Sequence, residues 1–181
     1  FINCEFDFSS EDMISNGYTC KVISSTAITS RSTRIENVTG NHQWSQSRES
    51  VVRLVLEKKS IVYMPSNLGE TFQNLESIRI KYGRLKEIHQ ADFSAWPNLR
   101  VINFDHNDIE VLEDDLFKFN PKIERIWFEQ NKIKIIGMAA MGNLLNLKDL
   151  DLSSNPCGGR RAEQQSEVSK FLFELAGKCP T

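Results

Sequence analysis

Apolar residues return along this chain every 24 positions, at Val51, Leu75, Leu99, Ile123 and Leu147. Three residues after each stands Leu54, Ile78, Ile102, Ile126 or Leu150, and two further on stands Leu56, Ile80, Phe104, Phe128 or Leu152. That last pair has the period of a short strand, which turns two side chains into a core and their neighbours outward. A fixed spacing of this length without slippage marks a stacked repeat, in which each coil buries its apolar side only against the next. The eleventh position carries Ile61, Leu85, Ile109, Ile133 and Cys157, the fourteenth Met64, Ile88, Leu112 and Ile136, and the nineteenth Phe93, Phe117 and Met141. These are expected to fill the core from the far side of each coil. In the first repeat the phenylalanine comes three places later, at Phe72, with Gly69 in the bulky position, so this coil is expected to pack irregularly. So short a repeat leaves little length for a helix at 1.5 Å per residue, and the outer side is expected to be short helical turns or irregular segments.

The ninth position reads Lys59, Gly83, Asn107, Asn131 and Asn155. An asparagine there can bond turn backbone with its amide, and stacked copies satisfy groups that would otherwise be buried unpaired. Lysine and glycine cannot, so looser or differently closed turns are expected after the first two strands. The last three repeats carry the complete frame L-x-x-L-x-L-x-x-N, which resembles the leucine-rich repeat. The resemblance implies an α/β solenoid of horseshoe shape, with a parallel β-sheet on the concave face, an irregular or short-helical convex side and special lids at both ends.

Both ends read as lids. After Cys157, Gly158-Gly159 turns the chain, and Val168, Phe171, Leu172, Leu175 and Ala176 recur at helical spacing before Cys179, as in an amphipathic helix. At the other end, Cys4-Glu5-Phe6 and Tyr18-Thr19-Cys20-Lys21-Val22 read as two strands of a hairpin joined by a polar stretch containing Asn16-Gly17. Residues 23–50 keep no repeat register, although Ile28, Ile35 and Val38 fit a degenerate coil. The organisation expected is therefore an amino-terminal cap over 1–50, five repeats over 51–156 and a carboxy-terminal cap over 157–181, all one structural domain.

The cysteines strengthen this reading. Cys4 and Cys20 lie near one end and Cys157 and Cys179 near the other, in no Cys-x-x-Cys pattern, so disulfides of an oxidising compartment are expected rather than a metal or redox site. Five strands stacked at about 4.8 Å hold the ends roughly 20 Å apart, beyond the ~7 Å that bonded Cα atoms tolerate. The expected pairs are thus Cys4–Cys20 and Cys157–Cys179. Phe1 in place of Met fits a processed secretory product, and the sequon Asn37-Val38-Thr39 makes Asn37 a candidate glycosylation acceptor. No apolar run approaches the ~20 residues of a membrane span. A formal net charge of −2 gives no bulk footprint for nucleic acid or an anionic membrane.

The hairpin cysteines with Phe6, Tyr18 and Val22, then Ile35-Glu36-Asn37-Val38-Thr39-Gly40-Asn41-His42, five repeats and a two-cysteine end together resemble the short secreted leucine-rich-repeat proteins of flies and mosquitoes. That group includes immune proteins and is distantly similar to Toll receptor ectodomains, so the resemblance implies extracellular protein recognition. The chain departs from the mosquito immune type in lacking a carboxy-terminal coiled coil and a spare cysteine.

No catalytic or cofactor constellation is expected: His42, His89 and His106 fall on different parts of the frame, and all four cysteines are used by the caps. Asp149, Asp151, Ser153 and Ser154, with Asp105 and Asp108 earlier, do not match a cation loop and read as a solvated acidic patch. The outward strand positions are more informative. They run from Arg53, Arg79 and Lys81 at one end to Asp149 and Asp151 at the other, with Tyr82, Val101, His106 and Trp127 between. Alternation places Trp127 between inward Ile126 and Phe128, and therefore turns its ring to solvent. The expected protein-binding surface is Trp127 with Tyr82, Arg125, Arg79, Asn103, His106, Asp105, Glu129 and Asp151. The alternative is a structural matrix protein that self-associates through the same face, as a closed dimer or larger assembly.

Overall fold

The computed structural model describes residues 1–9, 17–25 and 27–180. In chain order the elements are β1 (Ile2–Ser9), β2 (Gly17–Val22), β3 (Ala27–Ile28), β4 (Val38–Thr39), a 3-10 turn (Arg48–Ser50), β5 (Arg53–Glu57), β6 (Ser60–Ile61) and α1 (Leu68–Thr71). They continue with β7 (Ser77–Lys81), α2 (Gln90–Phe93), β8 (Val101–Asn103), β9 (Val111–Leu112), β10 (Arg125–Trp127), β11 (Ile135–Ile136), β12 (Asp149–Asp151), β13 (Arg161–Ala162) and α3 (Gln165–Ala176).

The repeat strands β5, β7, β8, β10 and β12 stack in parallel, and each repeat is in register with its neighbour: Leu54 lies beside Ile78, Ile78 beside Ile102, Ile102 beside Ile126 and Ile126 beside Leu150. All five are fully buried. The eleventh-, fourteenth- and nineteenth-position residues meet them from the other side, and Phe93, Phe104, Phe117 and Phe128 form a chain of ring contacts at centroid separations of 5.2 to 6.1 Å. The convex side is made of short pieces, the four-residue helices α1 and α2 and the two-residue parallel pair β9–β11. The fold class is the expected solenoid.

Each repeat strand leaves the sheet through the same bend. Lys58, Tyr82, His106, Gln130 and Ser154, the eighth residue of every repeat, all have φ between 53° and 57°. A non-glycine residue in this left-handed region costs roughly 1–2 kcal/mol, and in the last three repeats the ninth-position asparagine offsets it. The Asn131 amide donates to the carbonyls of Phe104 in the preceding coil (2.9 Å) and Phe128 in its own (3.1 Å), while its Oδ1 accepts from the Ile109 N–H (3.1 Å). Asn107 and Asn155 do the same one coil earlier and later. The second turn is closed differently, as expected: Asn107 Oδ1 reaches back to accept from the Gly83 N–H at 3.0 Å, and a Cβ on Gly83 would stand 3.2 Å from that oxygen.

The first coil is not irregular. Phe72 is fully buried, because α1 brings both Leu68 and Phe72 inward, and Gly69 lets this turn approach Ala95 so closely that a Cβ would fall 2.5 Å from the alanine methyl. A second polar row also runs beneath the convex side. Trp96 Nε1 donates to the Phe72 carbonyl (2.6 Å), and the Asn120 amide donates to the Phe93 and Trp96 carbonyls (both 2.9 Å).

The sheet is wider than the repeats, with nine strands in the order β13-β12-β10-β8-β7-β5-β2-β1-β4. At one end β2 pairs parallel to β5 and antiparallel to β1, and Cys4–Cys20 ties the hairpin at a Cα separation of 5.2 Å. The connecting stretch, including Asn16, lies outside the described residues. Ile28 and Ile35 are buried and Val38 packs against the core. At the other end Gly158 and Gly159, with φ of 101° and 70°, reverse the chain into β13, which adds antiparallel to β12. Helix α3 covers the last coil with Val168, Phe171 and Leu175, and Cys157–Cys179 joins its end to the repeat at 5.7 Å. Ala176 faces solvent, one residue past the buried stripe.

Candidate functional site

The outward side chains of a repeat strand stand beside their equivalents one coil away. The third-position row runs Arg53, Ser77, Val101, Arg125, Asp149, and the fifth-position row runs Val55, Arg79, Asn103, Trp127, Asp151. Because the repeat register keeps these neighbours adjacent, the side chains shelter one another. Trp127 does face this side, but it is half-buried rather than open to solvent, and Asn103, Asp105 and Asp151 are buried. Arg79, Arg125, His106 and Glu129 are half-buried, and Tyr82 is 48% exposed.

The expected charge gradient is absorbed at both ends. Arg53 is 1% exposed and donates to the Ser9 carbonyl of the hairpin, so it belongs to the cap. Lys81 pairs with Asp105 at 3.4 Å, and Arg79 with Glu57 at 3.4 Å. Asp105 also accepts from the Glu129 N–H at 2.9 Å; burial, against the opposing charge of Lys81, raises its carboxyl above the ordinary value. The acidic end is not a solvated patch. Asp149 and Asp151 are both buried, and Arg161 on β13 holds Asp149 through two bonds, Nε–Oδ1 at 3.0 Å and Nη2–Oδ2 at 2.8 Å. The Asp149 bond in turn raises the guanidinium pKa.

Several of these residues frame a hollow of about 540 Å³ on the concave sheet, and a separate set frames one of about 720 Å³ on a flank. The concave hollow brings together four of the expected residues, Arg79, Asn103, Arg125 and Trp127, with Lys148, Asp149, Arg161 and Glu163. The Arg161 guanidinium lies 6.0 Å from the Trp127 ring centroid, within reach of a cation–π contact. Tyr82 and His106 stand apart in the eighth-position row, stacked at 4.4 Å. Sequence reasoning missed Lys148 and Arg161. Lys148 holds the second position of its repeat, but Arg161 sits in a two-residue strand that no periodicity announces.

The flank hollow is lined by Arg84, Lys86, Glu87, His89, Glu110, Glu113 and Lys132 among others. His89 bridges Glu87 (Nε2, 2.9 Å) and Glu113 (Nδ1, 3.1 Å). Burial works to lower its pKa, but the two carboxylate bonds outweigh it and the net shift is upward. The third histidine, His42, stacks on Phe6 at 4.0 Å, so the three do not converge.

Residues 73–126 and 97–156 match the family model described as Leucine rich repeat. The chain is similar to human Toll-like receptor 1, with 29% identity over 109 residues that make up 60% of this chain and 13% of the receptor. It therefore spans a small part of that relative's length. Among solved structures it is similar to one of a TLR13–ssRNA13 complex (TM-score 0.55, 25% identity, 59% of this chain and 15% of that one). It is also similar to one of an LRIM1/APL1C complex (TM-score 0.57, 15% identity, 84% of this chain and 31% of that one). The likeness to the second is one of fold. This chain is folded as a leucine-rich-repeat solenoid, similar over part of its length to a Toll-like receptor.

Proposed function

We propose that this chain is an extracellular recognition module that binds a protein partner on its concave face, in defence or signalling. The observation that supports this reading is the hollow around Trp127, where a half-buried indole and several arginines occupy a concavity on the repeat sheet. Large aromatic and arginine side chains in sheltered pockets are the residues on which binding energy concentrates. Two disulfides, and an exposed Asn37 whose sequon enters the edge strand β4, fit a secreted chain with a glycan at that asparagine. Among the described residues no helix is long and apolar enough to cross a membrane. The likeness to a Toll-like receptor is the ground for defence or signalling, and the fly and mosquito resemblance of the amino-terminal cap is the ground for an insect setting.

The test is capture from extracellular fluid with wild type, Trp127→Ala and the convex-side control Phe119→Ala, Phe119 being 47% exposed. Trp127→Ala is expected to weaken the partner by at least ~2 kcal/mol, about thirtyfold, while the control binds as wild type. Unchanged affinity for Trp127→Ala, with loss in the convex variant, overturns the reading. Concentration-dependent assembly abolished by the same Trp127→Ala change would favour a matrix protein that self-associates.

A further inference from the structure

The helix that closes the last coil has a second apolar side. Val168, Phe171 and Leu175 of α3 face the core, and beside them Gln165, Ser169, Leu172, Phe173 and Ala176, three or four residues apart, share a neighbouring stripe. That stripe borders a shallow apolar groove, in which Leu172 and Ala176 meet Met138, Met141 and Gly142 of the convex side. Large apolar side chains stand in water around it: Phe173 is 83% exposed, Leu145 77% and Met138 76%. Leu145 sits by the amino-terminal end of the helix, where its carbonyl accepts from Gln165 Nε2, and Met138 lies toward the carboxy-terminal end, sharing the groove with Ala176. Single apolar residues scattered on a surface need no explanation, but a contiguous patch of them marks an interaction site.

We propose that this face receives a second copy of the chain, in a two-fold dimer that packs α3 antiparallel to its counterpart. The patch is complementary to itself in shape and in charge. A two-fold axis through the middle of α3 reverses the helix, so large groups fall against small ones: Phe173 meets Ser169 of the second copy, and Leu145 of one copy approaches the Met138 and Ala176 end of the other. The same rotation brings Lys170, exposed and without an ion pair among the described residues, to Glu174 of the second copy. Arg160 holds Glu174 through Oε2 at 3.1 Å and leaves Oε1 to take the lysine. Each of these contacts occurs twice. A partner of different sequence would not need a surface whose knob and seat, and whose cation and anion, lie on one helix in opposite order. Because α3 covers the end of the solenoid and the concave rows lie on the sheet, the dimer leaves both concave faces open and presents two of them at once.

The test is sedimentation equilibrium of the intact protein over a wide range of concentration, with wild type, Phe173→Asp, Met138→Asp, Lys170→Glu and the control Phe119→Asp. Wild type is expected to show one reversible monomer–dimer equilibrium with no larger species. Phe173→Asp and Met138→Asp each put a carboxylate into the apolar contact and are expected to raise Kd at least about tenfold. Lys170→Glu sets a like charge opposite Glu174 and should raise it severalfold, while Phe119→Asp dimerises as wild type. All four side chains are exposed, so the denaturation midpoints should stay at the wild-type value. Met138 belongs to a different segment from α3 and keeps the test valid if Phe173→Asp disturbs the helix. A wild type that stays monomeric throughout overturns the proposal, as does a dimer indifferent to the two aspartate variants. A dimer lost in Trp127→Ala but kept in Phe173→Asp overturns it too, by putting the contact on the concave face. So does open-ended assembly, since a two-fold contact closes on itself.

Discussion

Asn131 serves two coils with one amide, donating to carbonyls on both and accepting from a third backbone group. Replacing it with alanine leaves buried backbone groups unpaired at about 1–3 kcal/mol. Asn41, exposed and outside the repeat register, offers the comparison. Asn131→Ala is expected to lower the denaturation midpoint clearly more than Asn41→Ala, and equal midpoints would remove the ladder from the account of stability. The ladder was legible because one residue type recurs at one position. The row formed by Trp96 and Asn120 was not, because a tryptophan and an asparagine occupy equivalent places and only their bonds to carbonyls one coil back relate them. His89 gives a pH-dependent expectation at the same scale. Its folded pKa is raised, so its contribution to stability is complete below the ordinary imidazole value near 6.5 and is lost as pH rises through the folded value. Neighbouring Asp92, raised chiefly by burial, acts with the same sign in the acid range. His89 is partly solvated, so the effect is small, and its signature is comparative: from pH 6 to pH 8 wild type should lose more stability than His89→Gln.

The strand least visible in the sequence decides the electrostatics of the sheet's end. β13 is two residues long and follows two glycines with positive φ, and nothing in its composition alternates. Yet it delivers Arg161 to Asp149, Asp151 and the Trp127 ring. The Arg161 side chain is 42% exposed against 11% for Asp149, so solvent screens part of the attraction. A double-mutant cycle with Arg161→Gln and Asp149→Asn is expected to give a coupling energy of about 1 kcal/mol, and additive effects would show that the pair merely coexists. Helix α3, by contrast, was readable from the spacing of Val168, Phe171 and Leu175, since one stripe had to meet the last coil.

Across the molecule each coil touches only its neighbours, so the ends carry the burden of closing the core. Removing Cys157–Cys179, a bridge across 22 residues, is expected to cost roughly 3 kcal/mol in the chain-entropy model. Hydrogen exchange should show the loss first around β12 and α3 in Cys157→Ser/Cys179→Ser, with β7 protected as in wild type. Uniform loss of protection would mean that the solenoid unfolds as one cooperative unit.

The repeat frame alone specified the stack, because a strict period of 24 residues places every buried residue against its copies, and burial against copies is a local rule repeated. The alternation within each strand likewise assigned inward and outward sides correctly. It did not say how open the outward side is. Trp127 was expected in solvent and is half-buried, and the acidic end was expected solvated and is paired. Those outcomes depend on neighbours one coil away and on a capping strand that arrives only after the chain has reversed. A side chain's direction follows from its own backbone, whereas its accessibility and the balance of its charge belong to the assembled sheet.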